Sequence, residues 1–233
     1  MDHAIAGKHA ADWKLNHDDD AANMRSARAR HFAANGFGDS GGYDDAWIHF
    51  KLGPLPLTIP NTRARKRAVP YHDLHHIVTG YSTDYIGEFE ISGWEMGAGC
   101  GRYAAAWVLN LGGTAGGALR APRRTFAAFC LGRRSHTLYG RELPELLEQT
   151  VSQTRADCGL DPRPAVKPEA SDFLWFVLAS ALGLATAPCN VDDWPAGRST
   201  RAGLGCFAVA NRSQAASPQA MHEGERVGCI SES

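Results

Sequence analysis

Residues 71–88 read YHDLHHIVTGYSTDYIGE, and this stretch decides the fold because it contains the facing halves of a helical hairpin. Pro70 stands just before it, where the first turn of a helix accepts proline, and Gly80 is suited to ending that helix. Ser82 or Thr83 can then cap a second helix. The pattern therefore predicts two antiparallel helices joined by a short turn after Gly80.

The first of these helices has one polar face and one apolar face. On a wheel of about 100° per residue, with His72 at zero, His76 lies near 40° and Asp73 near 100°. The opposite side is an apolar stripe of Leu74, Ile77, Val78 and Tyr81. Burying such a polar face costs free energy unless its side chains share a partner, and a metal ion is the simplest partner.

The second helix brings a carboxylate to the same place. Glu88 lies about one turn beyond the bend and His76 about one turn before Gly80, so an antiparallel hairpin lets the two face each other. Ser92 and Glu95 share the face of Glu88. Glu95 is therefore a candidate catalytic proton acceptor or a partner for a metal ligand, with a plain salt bridge as the alternative.

Two imidazoles and one or two carboxylates suit Zn, Fe(II) or Mn(II), and this ligand set alone does not choose among them. The sequence thus predicts a divalent-metal site with the ligands His72, Asp73, His76 and Glu88. A surface helix whose histidines and aspartate bond one another is the alternative. A pair of histidines four residues apart would favour that alternative, but further ligand types at fitting positions favour the metal.

Three other motif classes share part of the pattern. His72-x-x-His75-His76 is also a box of membrane di-iron desaturases and hydroxylases. Those enzymes need further boxes, and no two of the remaining histidines lie three or four residues apart. An HD-type phosphohydrolase would need an isolated upstream histidine, for which His49 is the candidate, and would leave the H-x-x-H spacing unexplained. A zincin needs H-E-x-x-H, whereas this chain has the shorter Asp73.

The remainder of the chain fits one domain, with 233 residues and a hydrophobic fraction of 44%. We expect helices over residues 21–35, 101–119, 122–131, 144–158 and 169–187, a capped basic segment at 63–67, and a small hairpin from 47–52 and 55–59. The predicted fold is all-α, a helical domain with an αα-hairpin metal site and a small irregular or β-hairpin element near the N-terminus. We expect a disordered stretch at 1–20, one domain over 21–188 and a disordered polar tail at 189–233.

Composition narrows the functional classes. The formal net charge is -1 and there is no nucleic-acid-binding signature, so nucleic-acid partners are not expected. The first residues do not resemble a secretory signal, which favours a cytoplasmic location. The six cysteines form no C-x-x-C pair, so no thiolate zinc site is expected.

Two apolar stretches hold about 15 apolar residues each, short of the about 20 that span a bilayer. We favour buried core helices for them, with a lipid-facing surface as the alternative.

The spacing of the candidate ligands resembles a known family. His72-Asp73-x-x-His76, eleven residues and Glu88 form the pattern H-D-x-x-H-x11-E, which resembles the Coq4 family of ubiquinone-biosynthesis proteins. The pattern fixes four residues over 17 positions, and the resemblance extends over residues 61–100. It implies an all-α fold in which those four residues bind a divalent metal, zinc in the first place and iron or manganese as alternatives.

The resemblance also implies a function. It implies a polyprenylated aromatic substrate or lipid, from which the C1 carboxylate is removed with oxidation at that carbon. It implies a peripheral location on the inner face of the cytoplasmic membrane and contact with other quinone-biosynthesis proteins, and it leaves a homodimer open. Basic clusters at 63–67 and 120–134 would meet anionic headgroups or form an ordinary solvated surface. A prenyl-lipid-binding scaffold with a structural metal, or an unrelated metal-dependent hydrolase, are the alternative functions.

Overall fold

The computed structural model describes residues 20–52 and 55–186, and for residues 48–60 it describes no side chains. The elements in these ranges are α1 (Met24–Asn35), β1 (Trp47–Leu52), β2 (Leu55–Pro60), α2 (Arg63–Thr79), α3 (Tyr85–Ala98), α4 (Ala104–Arg120), α5 (Pro122–Gly132), α6 (Leu143–Glu148), α7 (Val151–Asp157) and α8 (Ala170–Thr186). The predicted all-α class is confirmed, and β1 and β2 form the small antiparallel hairpin. The predicted disordered segments lie almost wholly outside the described residues.

Helix α2 corrects the prediction for the first half of the helical hairpin. A basic segment was expected to end before a new helix began at Pro70, but one unbroken helix contains this proline. Proline inside a helix removes one backbone hydrogen bond and crowds the preceding turn. Its neighbours Val69 and Tyr71 are buried in the core, and this packing offsets the local cost. The histidines therefore lie on a longer helix than the sequence predicts, and its residues around Pro70 pack into the core.

The turn between α2 and α3 lies where it was predicted, with a different cap. Gly80 ends α2 with a φ of 75°, a conformation that glycine adopts without strain. The N-cap of α3 is Asp84, and neither Ser82 nor Thr83 fills that role. The Asp84 carboxylate accepts hydrogen bonds from two backbone N–H groups of the first turn, at 3.0 and 2.8 Å. These bonds fix the start of the helix that carries the carboxylate ligand.

Helix α3 packs against α5 at very short range because each helix has a glycine at the contact. A Cβ on Gly132 would lie 2.1 Å from the carbonyl oxygen of Trp94, and a Cβ on Gly97 would lie 2.2 Å from that of Phe129. Any larger side chain at these positions would force the two helices apart. The backbone of α3 is therefore held firmly between its neighbours, with the predicted apolar stripe of α2 packed into the same core.

Two other predicted helices differ from the structure in length or burial. The single helix expected over residues 144–158 is split into α6 and α7. Thr150 forms a capping box with Gln153, and this box begins a new helix inside the predicted one. The pattern T-x-x-Q was readable in the sequence.

Helix α8 lies at the surface, so the interpretation of this stretch as a buried core helix was wrong for most of its length. Its buried side is narrow and consists of Asp172, Phe176, Ser180 and Gly183. Seven of its large apolar side chains are 41–65% exposed, namely Phe173, Leu174, Trp175, Val177, Leu178, Leu182 and Leu184. Helix α4, against which α8 packs, also exposes Trp107, Val108 and Leu119. We call these side chains the α4–α8 face. No described helix is both long and apolar enough to cross a bilayer.

Candidate metal centre

Three of the predicted ligands converge inside the helical hairpin. The two Nε2 atoms of His72 and His76 lie 3.2 Å apart. The carboxylate of Glu88 arrives from α3, with Oε2 at 3.5 Å from the first of these nitrogens and Oε1 at 3.6 Å from the second. All three side chains are buried, with at most 4% of each residue exposed. The polar face of α2 is therefore shielded from water, and its groups need a common partner.

The spacing of these atoms suits one divalent ion. Ligand atoms bound at about 2.1 Å to a tetrahedral ion lie about 3.4 Å from one another. Here the two nitrogens are 3.2 Å apart and each lies 3.5 to 3.6 Å from a different oxygen of Glu88, and one ligand atom from each of the three residues lies within 4.8 Å of the others. Within the described part of the chain, Oε2 of Glu88 is buried and forms no hydrogen bond, although it lies 3.5 Å from Nε2 of His72. An orphaned carboxylate oxygen is costly, and a cation would satisfy it. The group His72, His76 and Glu88 could thus hold a metal ion.

Hydrogen bonds on the outer side of each ring orient both imidazoles. Nδ1 of His76 lies 2.9 Å from the carbonyl oxygen of Tyr81, which accepts a hydrogen bond from it. Nδ1 of His72 lies 2.9 Å from Oε1 of Glu95, which accepts in the same way. Because the proton is on Nδ1 in both bonds, Nε2 of each ring faces the centre and can supply a lone pair.

The charge on the two histidines differs when no metal is bound. Burial alone would lower the pKa of His72, but the carboxylates of Glu95 and Glu88 raise it to about 10. Burial lowers the pKa of His76 to about 4. The metal-free centre therefore holds a proton on Nε2 of His72, directed at the unprotonated Nε2 of His76. A metal ion would replace this proton.

The fourth predicted ligand, Asp73, has another partner in the structure. Its carboxylate accepts a hydrogen bond of 2.5 Å from the hydroxyl of Tyr43, which comes from the segment before β1. Burial raises the pKa of Asp73 to about 6. Asp73 lies outside the group of three converging residues, and its role as a ligand stays a prediction. Tyr43 lies far from α2 in the chain, so no periodicity of the sequence predicts its contact with Asp73.

Glu95 lies behind the centre, where none of its surface is exposed. Oε1 lies within hydrogen-bond distance of Nδ1 of His72 and of Nδ1 of His75, at 2.9 and 2.7 Å. Oε2 accepts from the hydroxyl of Tyr139 at 2.7 Å and from the side-chain amide of Asn110. Burial opposes ionisation, but the two histidines hold the pKa of Glu95 well below its ordinary value. Its predicted role as a proton acceptor stays a prediction, and the structure shows that it bonds a candidate ligand.

A third histidine reaches the centre from a distant part of the chain. His31 of α1 stacks on His76, with ring centroids 5.8 Å apart and an interplanar angle of 24°. Its Nε2 is buried and has no hydrogen-bond partner among the described residues, and burial lowers its pKa to about 4. No other histidine lies three or four residues from His31, so no motif in the sequence predicts this contact.

A small cavity lies on the α4 side of His72. Its volume is about 10 Å³ and its walls are Ala68, Val69, His72, Glu95, Ala106, Leu109, Asn110 and Tyr139. That is room for about one water molecule. An aromatic head group would enter here only if α4 or the side chains around it moved. Comparisons with protein-family models, curated proteins and solved structures found no match for this chain, so the metal centre rests on its own geometry.

Proposed function

We propose that this protein is a metal-dependent enzyme of prenylated-quinone biosynthesis that acts on the carboxylated ring of a polyprenyl-hydroxybenzoate. The observation that carries the proposal is the convergence of His72, His76 and Glu88 at the distances of a divalent-metal site. The resemblance of the H-D-x-x-H-x11-E pattern to the Coq4 family supports the choice of substrate.

His72, His76 and Glu88 would hold the ion, and a set of three protein ligands is typical of catalytic metal centres. A divalent ion bound here supplies a Lewis acid for a carboxylate or phenolate oxygen. Glu88 and the two histidines would fix its place, and their burial would limit access of water and strengthen the charge interactions of a bound substrate. Decarboxylation releases the C1 carboxylate as CO2 and leaves the bonding electron pair on the ring carbon, which then takes a proton. Hydroxylation of that carbon would be a further two-electron oxidation, in which water supplies the hydroxyl oxygen and dioxygen accepts the two electrons and two protons as hydrogen peroxide.

The test is turnover of a hydroxybenzoate that carries a short prenyl chain. Protein loaded with Zn, Mn or Fe(II) is incubated with this substrate in air, and CO2 and the ring product are measured by mass spectrometry. We expect turnover by wild type and none by Glu88→Gln or His76→Ala. The matched controls Glu145→Gln and His136→Ala change exposed residues and keep activity. Absence of turnover with every metal, or full turnover by the ligand variants, would contradict the proposal.

A prenyl-lipid-binding scaffold is the second candidate function, and the α4–α8 face favours it. An exposed helix surface with Trp175, Leu178 and their neighbours suits the boundary between headgroups and acyl chains. Arg120 and Arg123 at the junction of α4 and α5 are exposed beside it. Much of the predicted basic cluster is engaged elsewhere, since Arg124 pairs with Glu90 at 2.7 Å and two further arginines pair with Asp172. Apolar contact would therefore dominate over charge.

Vesicle sedimentation tests this second function. We expect wild type to bind vesicles of phosphatidylcholine with phosphatidylglycerol, and Trp175→Glu to lose binding because a charge would enter the apolar layer. Trp47→Glu is the matched control, since the two tryptophans are 51% and 54% exposed. Binding that survives in a folded Glu88→Gln variant would support a scaffold. A wild type that stays in the supernatant would contradict lipid binding.

A further inference from the structure

We propose that Glu95 is a positioning residue that fixes His72 as a metal ligand and sets the affinity of the centre for its ion. The inference rests on the proposed metal centre and not on the proposed reaction. Glu95 has no exposed surface, and it reaches the centre only through the ring of His72. Its effect on the metal is therefore exerted through that ring.

The carboxylate of Glu95 is fully used by donors. Each oxygen has two partners, and the four are Nδ1 of His72, Nδ1 of His75, the hydroxyl of Tyr139 and the amide of Asn110. An ionised carboxylate has about four acceptor sites, whereas a protonated one carries a hydrogen that would meet one of these donors. The surroundings thus match the charged form. A buried carboxylate with both oxygens satisfied in this way is held in one geometry.

His75 anchors this network from the side away from the metal. Its Nε2 accepts a hydrogen bond of 2.9 Å from the backbone N–H of Leu138, so its proton must be on Nδ1, which faces Glu95 at 2.7 Å. Its ring is packed against Trp94 and Tyr139, with centroids 5.1 and 4.9 Å away. A backbone group of a distant loop therefore determines the tautomer of His75, and His75 in turn prevents Glu95 from turning away.

The consequence for His72 concerns both orientation and charge. A ring that donates from Nδ1 to a carboxylate presents Nε2 at a fixed angle and is a more basic ligand. A divalent ion bound to neutral histidines and to Glu88 would leave one positive charge in a buried site. The negative charge of Glu95, one imidazole away, balances it. Both effects favour metal binding, although Glu95 does not touch the metal.

The first test compares Glu95→Gln with Glu90→Gln. Glu90 is the matched control because it is also a buried glutamate of α3, paired with Arg124 and not with a histidine. Zinc Kd is measured by chelator competition on the full chain, and the visible spectrum of the cobalt-loaded protein reports the geometry of the centre. We expect Glu95→Gln to weaken zinc binding by about 10- to 100-fold and to change the cobalt spectrum, with both unchanged in Glu90→Gln. An unchanged Kd in Glu95→Gln overturns the proposal.

A second measurement needs no variant, which matters if Glu95→Gln fails to fold. Long-range 1H–15N spectra of zinc-loaded wild type should show His72 bound through Nε2 with its proton on Nδ1, and His75 neutral with its proton on Nδ1. Zinc on Nδ1 of His72, or a proton on Nε2 of His75, overturns the proposal. A wild type that binds none of zinc, iron(II) and manganese(II) would overturn this inference and the proposed function together. Normal zinc binding without turnover would contradict the proposed reaction and leave the role of Glu95 unaffected.

Discussion

His72 stands between two carboxylates, with Glu95 on Nδ1 and Glu88 beyond Nε2. A buried imidazole normally loses its proton, and His76 does so. His72 behaves differently because two negative charges face it in a site with almost no exposed surface. The same arrangement that stabilises a proton there would stabilise a metal ion, since both are cations between the same lone pairs. A proton and a metal ion therefore compete for Nε2 of His72.

This competition predicts how metal affinity depends on pH. The pKa of His72 is raised from about 6.5 in an unfolded chain to about 10. The stability that this proton contributes to the metal-free protein is thus fully present below the unfolded pKa and is lost as the pH rises through 10. Because the metal must displace this proton, we expect the apparent Kd for zinc to fall about tenfold per pH unit between about pH 7 and pH 9. Chelator competition at several pH values measures the slope. A Kd that does not change with pH would contradict this assignment of the proton.

Local spacing accounts for the part of the site that the sequence predicts. His72 and His76 are one turn apart on a single helix, and Glu88 follows a turn that Gly80 makes recognisable. The contacts of Tyr43 and His31 with the centre join segments far apart in the chain, and no periodicity reports them. The partnership of His75 with Glu95 also depends on packing, because Leu138 fixes the tautomer from a loop.

At the scale of elements, the close approach of α3 and α5 holds the ligand-bearing helix in place. We expect Gly132→Ala to destabilise the protein by about 1–3 kcal/mol through overpacking, because its Cβ would meet the Trp94 carbonyl oxygen at 2.1 Å. Gly112→Ala is the matched control, since no atom lies within 4 Å of its Cβ. That control should gain about 0.5–1 kcal/mol from helix propensity.

Urea unfolding of both variants at the same protein concentration measures these effects. Equal stability of Gly132→Ala and wild type would mean that α3 and α5 are not in the close contact described. A loss of stability in Gly112→Ala would show that α4 packs against a further surface on its outer side.

The elements themselves were predictable where local signals agree with packing. Gly36 and Gly80 end α1 and α2 as expected, and both have positive φ. Pro70 misled the prediction, because the burial of its neighbours overrides a local preference against proline. The amphipathic pattern of residues 144–158 continues through the break between α6 and α7, so only the capping box of Thr150 and Gln153 indicates it.

At the scale of the whole molecule, burial is the property that sequence reasoning estimated least well. An apolar run such as that of α8 fits a core helix or a surface helix equally well, and only the arrangement of its neighbours decides. Here Gly183 lies against the backbone of Leu111, so one thin edge of α8 contacts α4 and the remaining apolar side chains face outward. The helical hairpin has the opposite character, with a polar face that is entirely enclosed.

The enclosed polar face of α2 needs a bound cation, and metal content measures this most directly. Wild type, Glu88→Gln and the exposed control Glu145→Gln are purified in parallel, checked for folding by circular dichroism, loaded with zinc, iron(II) or manganese(II), and examined by elemental analysis. We expect about one ion per chain in wild type and in the control, and loss of that ion in folded Glu88→Gln. A wild type that carries no metal and retains none of the three after loading would contradict this expectation.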